Sequence, residues 1–330
     1  MINRKTRTTI LLIALPILVL GISVFIGRYP KPLFMPLSVL LNDELGQNLV
    51  FNLRLPRLIT SALLGMSLAA AGGVMQMLFR NPLVEPGFLG VTQGAGFGAA
   101  MSILFLSTSP LIIELSATFF AMLGLVLSYF IARRIRFGGW VLRLVLSGIA
   151  VSAVFSAGLG ILKYMADPTS QLPEIVFWLL GGLWSVRWSD LLYILPVVAI
   201  GLLIIYLMRW RLNLLSLSDE TAFSLGVSVG RERTLLLAAS VAVTAVVVSV
   251  AGIVGWIGLI IPHIARRIGG ANSAQFIPIS MSLGAVFGII CDDLARTLTL
   301  GEIPLGIITS LIGAAVFMIM MTSRSMRISR

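Results

Sequence analysis

Cysteine, histidine and lysine are nearly missing from this sequence, and each shortage removes a class of chemistry. Cys291 is the single cysteine. An intrachain disulfide and a multi-cysteine metal site are therefore excluded, and at the end of an apolar run the residue reads as a small buried hydrophobe. His263 is the only histidine, with neither Glu nor Cys beside it at ligand spacing, so no metal site is expected. The lysines are Lys5, Lys31 and Lys163, none preceded by glycine. The chain thus lacks the Gly-Lys pair of a phosphate-cradling loop and cannot bind ATP by that route. No catalytic residue is assigned.

Charge is scarce too. Only 11% of residues are charged and 58% are hydrophobic, whereas about a quarter of a soluble domain's residues carry charge. A separate soluble domain is excluded, because no long polar stretch exists. What charge there is sits in short clusters. Thr8–Gly27, Leu58–Phe79, Pro86–Ile113, Leu115–Ala132, Leu144–Leu162, Leu191–Met208, Thr234–Ala265, Ile268–Cys291 and Ile303–Ser323 contain no Asp, Glu, Lys or Arg. About 20 apolar residues in a helix cross a hydrocarbon core about 30 Å thick. The chain is therefore an all-α polytopic membrane protein. The first run lacks a small-residue cleavage site and reads as a retained span.

The net charge of +11 invites a nucleic-acid partner, but its distribution argues against one. With about ten transmembrane helices and both termini cytoplasmic, seventeen basic residues fall inside. They are Arg4, Lys5, Arg7, Arg80, Arg133, Arg134, Arg136, Arg143, Arg209, Arg211, Arg231, Arg233, Arg266, Arg267, Arg324, Arg327 and Arg330. Seven fall outside: Arg28, Lys31, Arg54, Arg57, Lys163, Arg187 and Arg296. Excess Lys and Arg mark cytoplasmic loops. The ten-fold crossing requires Thr234–Ala265 to break near Gly252–Gly255 into a full helix and a short one. Irregular backbone at membrane depth is tolerated only inside protein or beside a water-filled cavity, so the short half is expected in the interior.

Ala71-Gly72 precedes Pro82 as Ala251-Gly252 precedes Pro262, which suggests an inverted internal repeat of residues 54–162 and 234–323. Small residues recur every fourth position at Gly65, Ala69, Gly73; at Gly90, Gly94, Gly98; and at Gly148, Ser152, Ser156, Gly160. Each set lines one helix face for close packing. Ser152 and Ser156 add hydroxyls and are candidates for a translocation path.

The spans hold almost no ionisable residue of the kind ion-coupled transporters carry, so the energy for transport should come from elsewhere. The longest cytoplasmic loop, residues 209–233, contains a short helix by pattern. Ser218 caps it, Asp219 and Glu220 occupy the first turn and Gly226 ends it. Ala222, Phe223 and Leu225 give it an apolar side with no span to pack into. Either it lies on the membrane surface or it docks into a cytoplasmic partner.

Several stretches resemble the permease subunits of the FecCD family, the type II ABC importers for iron-siderophore, haem and vitamin B12 uptake. They are "RLPRLITSALLGMSLAAAGGVMQMLFRNPLVEPGFLGVTQGAGFGAA", "LNLLSLSDETAFSLGVSV", "VAGIVGWIGLIIPHIARRIGG" and "DDLARTLTLGEIPLGIITSLIGA". The resemblance implies one transmembrane permease domain over residues 1–330, in the inner membrane, paired as a homodimer. It also implies a cytoplasmic ABC ATPase dimer that binds ATP and Mg, and a substrate-binding protein on the outer side. Matching positions assign ATPase coupling to Ser218, Asp219, Glu220, Thr221, Ala222, Leu225 and Gly226, with Ser218 where the family usually has glycine. They assign binding-protein docking to Arg54, Arg57 and Arg296; the alternative for these is anchoring to lipid headgroups. His263 matches a "PH" pair and is expected to make a structural hydrogen bond.

Two other classes compete. An ion-coupled secondary transporter would fit the repeat. An intramembrane enzyme could enlist Asp292-Asp293, but adjacent helical residues point about 100° apart and cannot readily share a proton. Cargo is open among iron chelates, haem, cobalamin and, for some relatives, molybdate or tungstate; an iron chelate is expected from the family.

Overall fold

In a computed structural model, residues 4–30 and 33–322 are described, with side chains from residue 11 onward. Lys31, Arg324, Arg327 and Arg330, and the side chains of Arg4, Lys5 and Arg7, all counted in the charge distribution, lie outside these. The chain runs α1 (Arg4–Ser23), a small antiparallel hairpin of β1 (Ile26–Gly27) and β2 (Leu33–Phe34), α2 (Leu37–Asn42), α3 (Glu44–Asn48), α4 (Leu55–Leu78) and α5 (Val91–Met101). It continues through α6 (Pro110–Arg134), α7 (Trp140–Met165), α8 (Gln171–Leu180), α9 (Trp188–Leu215) and α10 (Asp219–Ser224). It ends with α11 (Val229–Ala251), α12 (Ile257–Gly269), α13 (Ser273–Thr297) and α14 (Leu305–Thr322). Among the described residues seven helices are long and apolar enough to cross a bilayer: Glu44–Leu78, which ends in α4, and α6, α7, α9, α11, α13 and α14. A count of ten requires adding the shorter apolar helices Leu11–Ser23 and Val91–Leu106, together with α12.

Helix starts follow local chemistry. Pro110 occupies the first turn of α6, where a missing N–H costs nothing and a fixed φ is already helical, while Pro56 follows a π-helical stretch, Leu49–Arg54, that joins α3 to α4. Centre and shell separate by side-chain size. On α4, a Cβ at Gly65 would fall on the Gly284 carbonyl, and one at Gly72 on that of Gly258. On α13, a Cβ at Gly288 would clash with the Ser61 carbonyl. α4, α11 and α13 form a mostly buried centre, in which α4 packs backbone to backbone on α12 and α13 where lipid offers no hydrophobic drive. Gly94 and Gly98 of α5 meet α6 in the same way at Phe120 and Ser116. Outer helices show large apolar side chains to lipid, such as Leu192, Ile200, Leu203 and Leu207 of α9.

The expected break is present. α11 stops at Ala251, Gly252 turns at φ 67°, and α12 begins after Trp256 at φ 72°. A tryptophan in that region is strained. It is held by Phe317, 6.1 Å away edge to face, and by Gly313, where a Cβ would strike it. Backbone from α8 satisfies the unwound segment, with Gly182 N donating to the Ala251 carbonyl at 2.8 Å. Cys291 is fully buried, as expected.

The paired dipeptides do not echo one another locally. Ala71-Gly72 lies within α4, whereas Ala251-Gly252 ends a helix, so their matched spacing reflects glycine abundance and not equivalent structure.

Candidate functional site

Two ends of the bundle carry polar groups, separated by the length of α4. At one end the loop after α9 folds as its sequence dictates. Ser218 Oγ accepts from Thr221 N at 3.3 Å, and α10 runs from Asp219 to Ser224 before Gly226 turns at φ 78°. Asp219 pairs with Arg233 at 2.8 Å, and that guanidinium lies over the Trp140 ring, 4.4 Å from its centroid. The hydrogen bond from Arg233 holds the Asp219 carboxyl below its ordinary pKa, with the charges of Arg233 and Arg80 adding and partial burial opposing. Arg80 also donates to the Leu217 carbonyl, tying the loop to the end of α4.

This tethering leaves one face uncovered. Phe223 is 76% exposed and Leu225 55%, with Glu220 and Thr221 exposed beside them. Ala222 departs from expectation. It turns inward and is buried in the main core, so the free apolar side consists of Phe223 and Leu225, with Leu217 at its edge.

At the other end Arg54, Arg57 and Arg296 come together, each 8% exposed. Arg57 Nε donates to Asp292 at 2.8 Å while its Nη1 donates to Glu302 at 2.8 and 2.9 Å. Arg296 lies 3.2 Å from Asp292 and also pairs with Asp293, whose other oxygen accepts from Ser23 at 2.5 Å. Arg54 donates to the Val24 carbonyl at 2.9 Å. Arg57 and Arg296 thus share three carboxylates while Arg54 beside them holds a backbone carbonyl, and burying such charges is tolerable only where they are matched. The family resemblance and their place outside single out the three arginines. Their partners were missed, although Asp292 and Asp293 stand four and three residues before Arg296, the spacing that brings helical side chains together.

Beside this cluster opens a cavity of about 580 Å³, walled by the starts of α6 and α14, by α8 and by the end of α11. Glu114, Glu174 and Glu302 line it, with the rings of Phe177, Trp178 and Trp184. Gly181, Gly252 and Gly306 set α8, the broken segment and α14 in backbone contact beside it. The signal for Glu114 was its isolation, one acid between two charge-free runs.

Ser152 and Ser156 do not line this cavity. They lie on α7, Ser152 half-buried and Ser156 exposed, on a face where Gly160 meets no other atom within 4 Å. His263 Nδ1 is 3.4 Å from the Leu259 carbonyl one turn earlier. Gly226-Val227-Ser228-Val229-Gly230 spells the motif of a nucleophile elbow, but such an elbow joins a strand to a helix and this one joins two helices. Among the described residues no group of three or more His, Cys, Asp or Glu is placed to hold a metal.

Comparison with known proteins agrees with this geometry. Residues 12–323 match the FecCD transport family. The chain is 37% identical over 318 residues to the molybdate import system permease protein MolB of Haemophilus influenzae, covering 94% of this chain and 92% of that one. It is 38% identical over 316 residues to the hemin transport system permease protein HmuU of Yersinia pestis, covering 93% and 92%. A solved structure of an inward-facing, metal-chelate type ABC transporter superposes with a TM-score of 0.86 at 37% identity, over 94% of this chain and 97% of that one.

Proposed function

The chain belongs to the FecCD transport family, and from that membership we propose how this multi-pass inner-membrane permease of a metal-chelate ABC importer, itself without catalytic function, is powered and loaded. The motor is a cytoplasmic ABC ATPase dimer, which binds the ATP and Mg, and its contact is α10. The observation that carries this is the exposed pair Phe223 and Leu225 flanked by Glu220, on a helix tethered through Asp219–Arg233 and Arg80. A short helix with an uncovered apolar face fits a groove on a partner, and its tethers pass a push into α4 and α11. Ser218, Thr221 and Gly226 shape that helix, and Ala222 seats it. Two global states, outward- and inward-open, are then biased by the ATP cycle.

The whole chain acts as one permease domain with residues 209–233 as coupling loop, both termini in the cytoplasm. Supporting this orientation, Arg133, Arg134, Arg266 and Arg267 fall in last turns at the α10 end. Two copies pair around a central path, and the hydroxyls of Ser152 and Ser156, on an otherwise apolar and exposed face of α7, belong to it. A substrate-binding protein lands at the opposite end. There its carboxylates meet Arg54, Arg57 and Arg296, and the contact requires exchange with Glu302, whose side chain is 39% exposed while that of Asp292 is fully buried.

The cargo is an iron chelate of the siderophore or haem kind. The likeness to the haemin permease supports it, and the likeness to the molybdate permease favours an oxyanion as the second reading. Reconstitution of the chain with its ATPase and binding protein tests the scheme. ATP-dependent uptake of a ferric siderophore, lost in Glu220→Arg, is the expected result. Normal uptake by that variant would remove α10 from the coupling.

A further inference from the structure

The cavity beside the arginine cluster has a chemistry that the transport reading does not use. Glu114 lines it at 5% exposure and makes no hydrogen bond or ion pair with any described residue. Every other acid at that end is matched or reaches solvent. Glu302 is held by Arg57, Asp292 and Asp293 by Arg57 and Arg296, and Glu174 is only half-buried. An ionised carboxylate withdrawn from water without a counter-charge is strongly disfavoured, so an ionised Glu114 calls for a charge that the chain itself does not supply.

The rest of the wall agrees. Glu174 and Glu302 add negative charge, and no Arg, Lys or His is among the described residues that line the space. Trp178, Trp184 and Phe177 offer ring faces, which attract cations through their quadrupole. The volume of about 580 Å³ falls in the range of small-molecule pockets. Among the described residues no three acids cluster closely enough to hold a bare metal ion, so the guest carries its charge on an organic frame.

We propose that this cavity is a binding site for a cationic, partly aromatic small molecule or the cationic face of a chelate, with Glu114 as its counter-ion, and that it rejects oxyanions. In its bearing on cargo the inference rests on the importer reading: molybdate and tungstate would meet two unmatched carboxylates and no base. Glu114 and Glu174 act on the guest directly, whereas Glu302 is shared with Arg57.

The test uses the full-length chain in nanodiscs of zwitterionic lipid, with no ATPase or binding protein, so its outcome is independent of whether uptake is ATP-driven. N-methylquinolinium is titrated by calorimetry against naphthalene-2-sulfonate and molybdate. Saturable binding of the cation alone is expected. In Glu114→Gln, which keeps the shape and removes the charge, affinity should drop about tenfold, the scale of one charge-assisted contact. Glu174→Gln, at the partly exposed rim and no threat to folding, should weaken binding by a smaller factor and decides the matter if Glu114→Gln fails to fold. Glu44→Gln, exposed at the start of α3 and outside the cavity wall, should leave it unchanged. No saturable binding, equal affinity in the glutamine variants, or molybdate displacing the cation would overturn the proposal.

Discussion

The two ends of this bundle solve opposite problems with similar residues. The α10 end spends its charges on holding a helix in place and leaves Phe223, Leu225 and Glu220 unmatched at the surface. The opposite end buries three arginines and pairs Asp292, Asp293 and Glu302 with Arg57 and Arg296, of which only Glu302 lies within reach of exchange. A surface with uncovered apolar side chains is made to be covered continuously. On the scheme proposed above, a balanced, buried cluster stays closed until a competing carboxylate arrives. The difference accords with a motor that stays bound and a delivery protein that comes and goes.

Four perturbations separate the ends. Glu220→Arg should cut ATP-driven uptake by about a hundredfold or more, since reversed charge at a docking face costs several kcal/mol, while the purified subunit keeps its melting temperature. Asp292→Asn should act the other way, on stability first. It strips the shared partner from Arg57 and Arg296, and removal of one member of a buried pair costs about 3–5 kcal/mol, read as a lowered melting temperature in detergent. Glu302→Gln should barely change stability, since its side chain is 39% exposed, yet should tighten binding-protein docking severalfold by freeing Arg57. Unchanged docking at low salt would show that Glu302 is not the exchangeable partner. The smallest effect concerns pH. Asp219 has a depressed folded pKa, so its contribution is complete above the unfolded value of about 3.9. That contribution disappears as pH falls through the folded value. With the Asp219 side chain 61% exposed, the pair contributes about 1 kcal/mol, so the acid-induced loss of stability between pH 5 and 3 should be slightly smaller in Asp219→Asn.

Much of this was legible from residues alone, and for definable reasons. The Ser218 cap, the first-turn acids and the Gly226 turn are local, so their pattern determined α10 without tertiary information. The break at Gly252 followed from length and charge bookkeeping. Pairing across the fold was not legible. Arg57 meets Asp292 and Glu302 over more than two hundred residues of sequence, and nothing local records it. Ala222 was assigned to the free side because apolar pattern alone cannot distinguish an outward Phe223 from an inward neighbour. The Ala-Gly echo failed for a related reason, since a small residue fits equally within a packed helix and at a helix end. Ser152 and Ser156 have hydroxyls on a helix face, but no neighbouring helix of the chain covers Ser156 or Gly160 there.

The most direct measurement is accumulation of a ferric siderophore in proteoliposomes, with and without the ATPase, under an imposed proton or sodium gradient. The account predicts uphill uptake only when the ATPase, its ATP and the binding protein are present, and none from a gradient acting on this subunit alone. Gradient-driven accumulation by the purified subunit would contradict it.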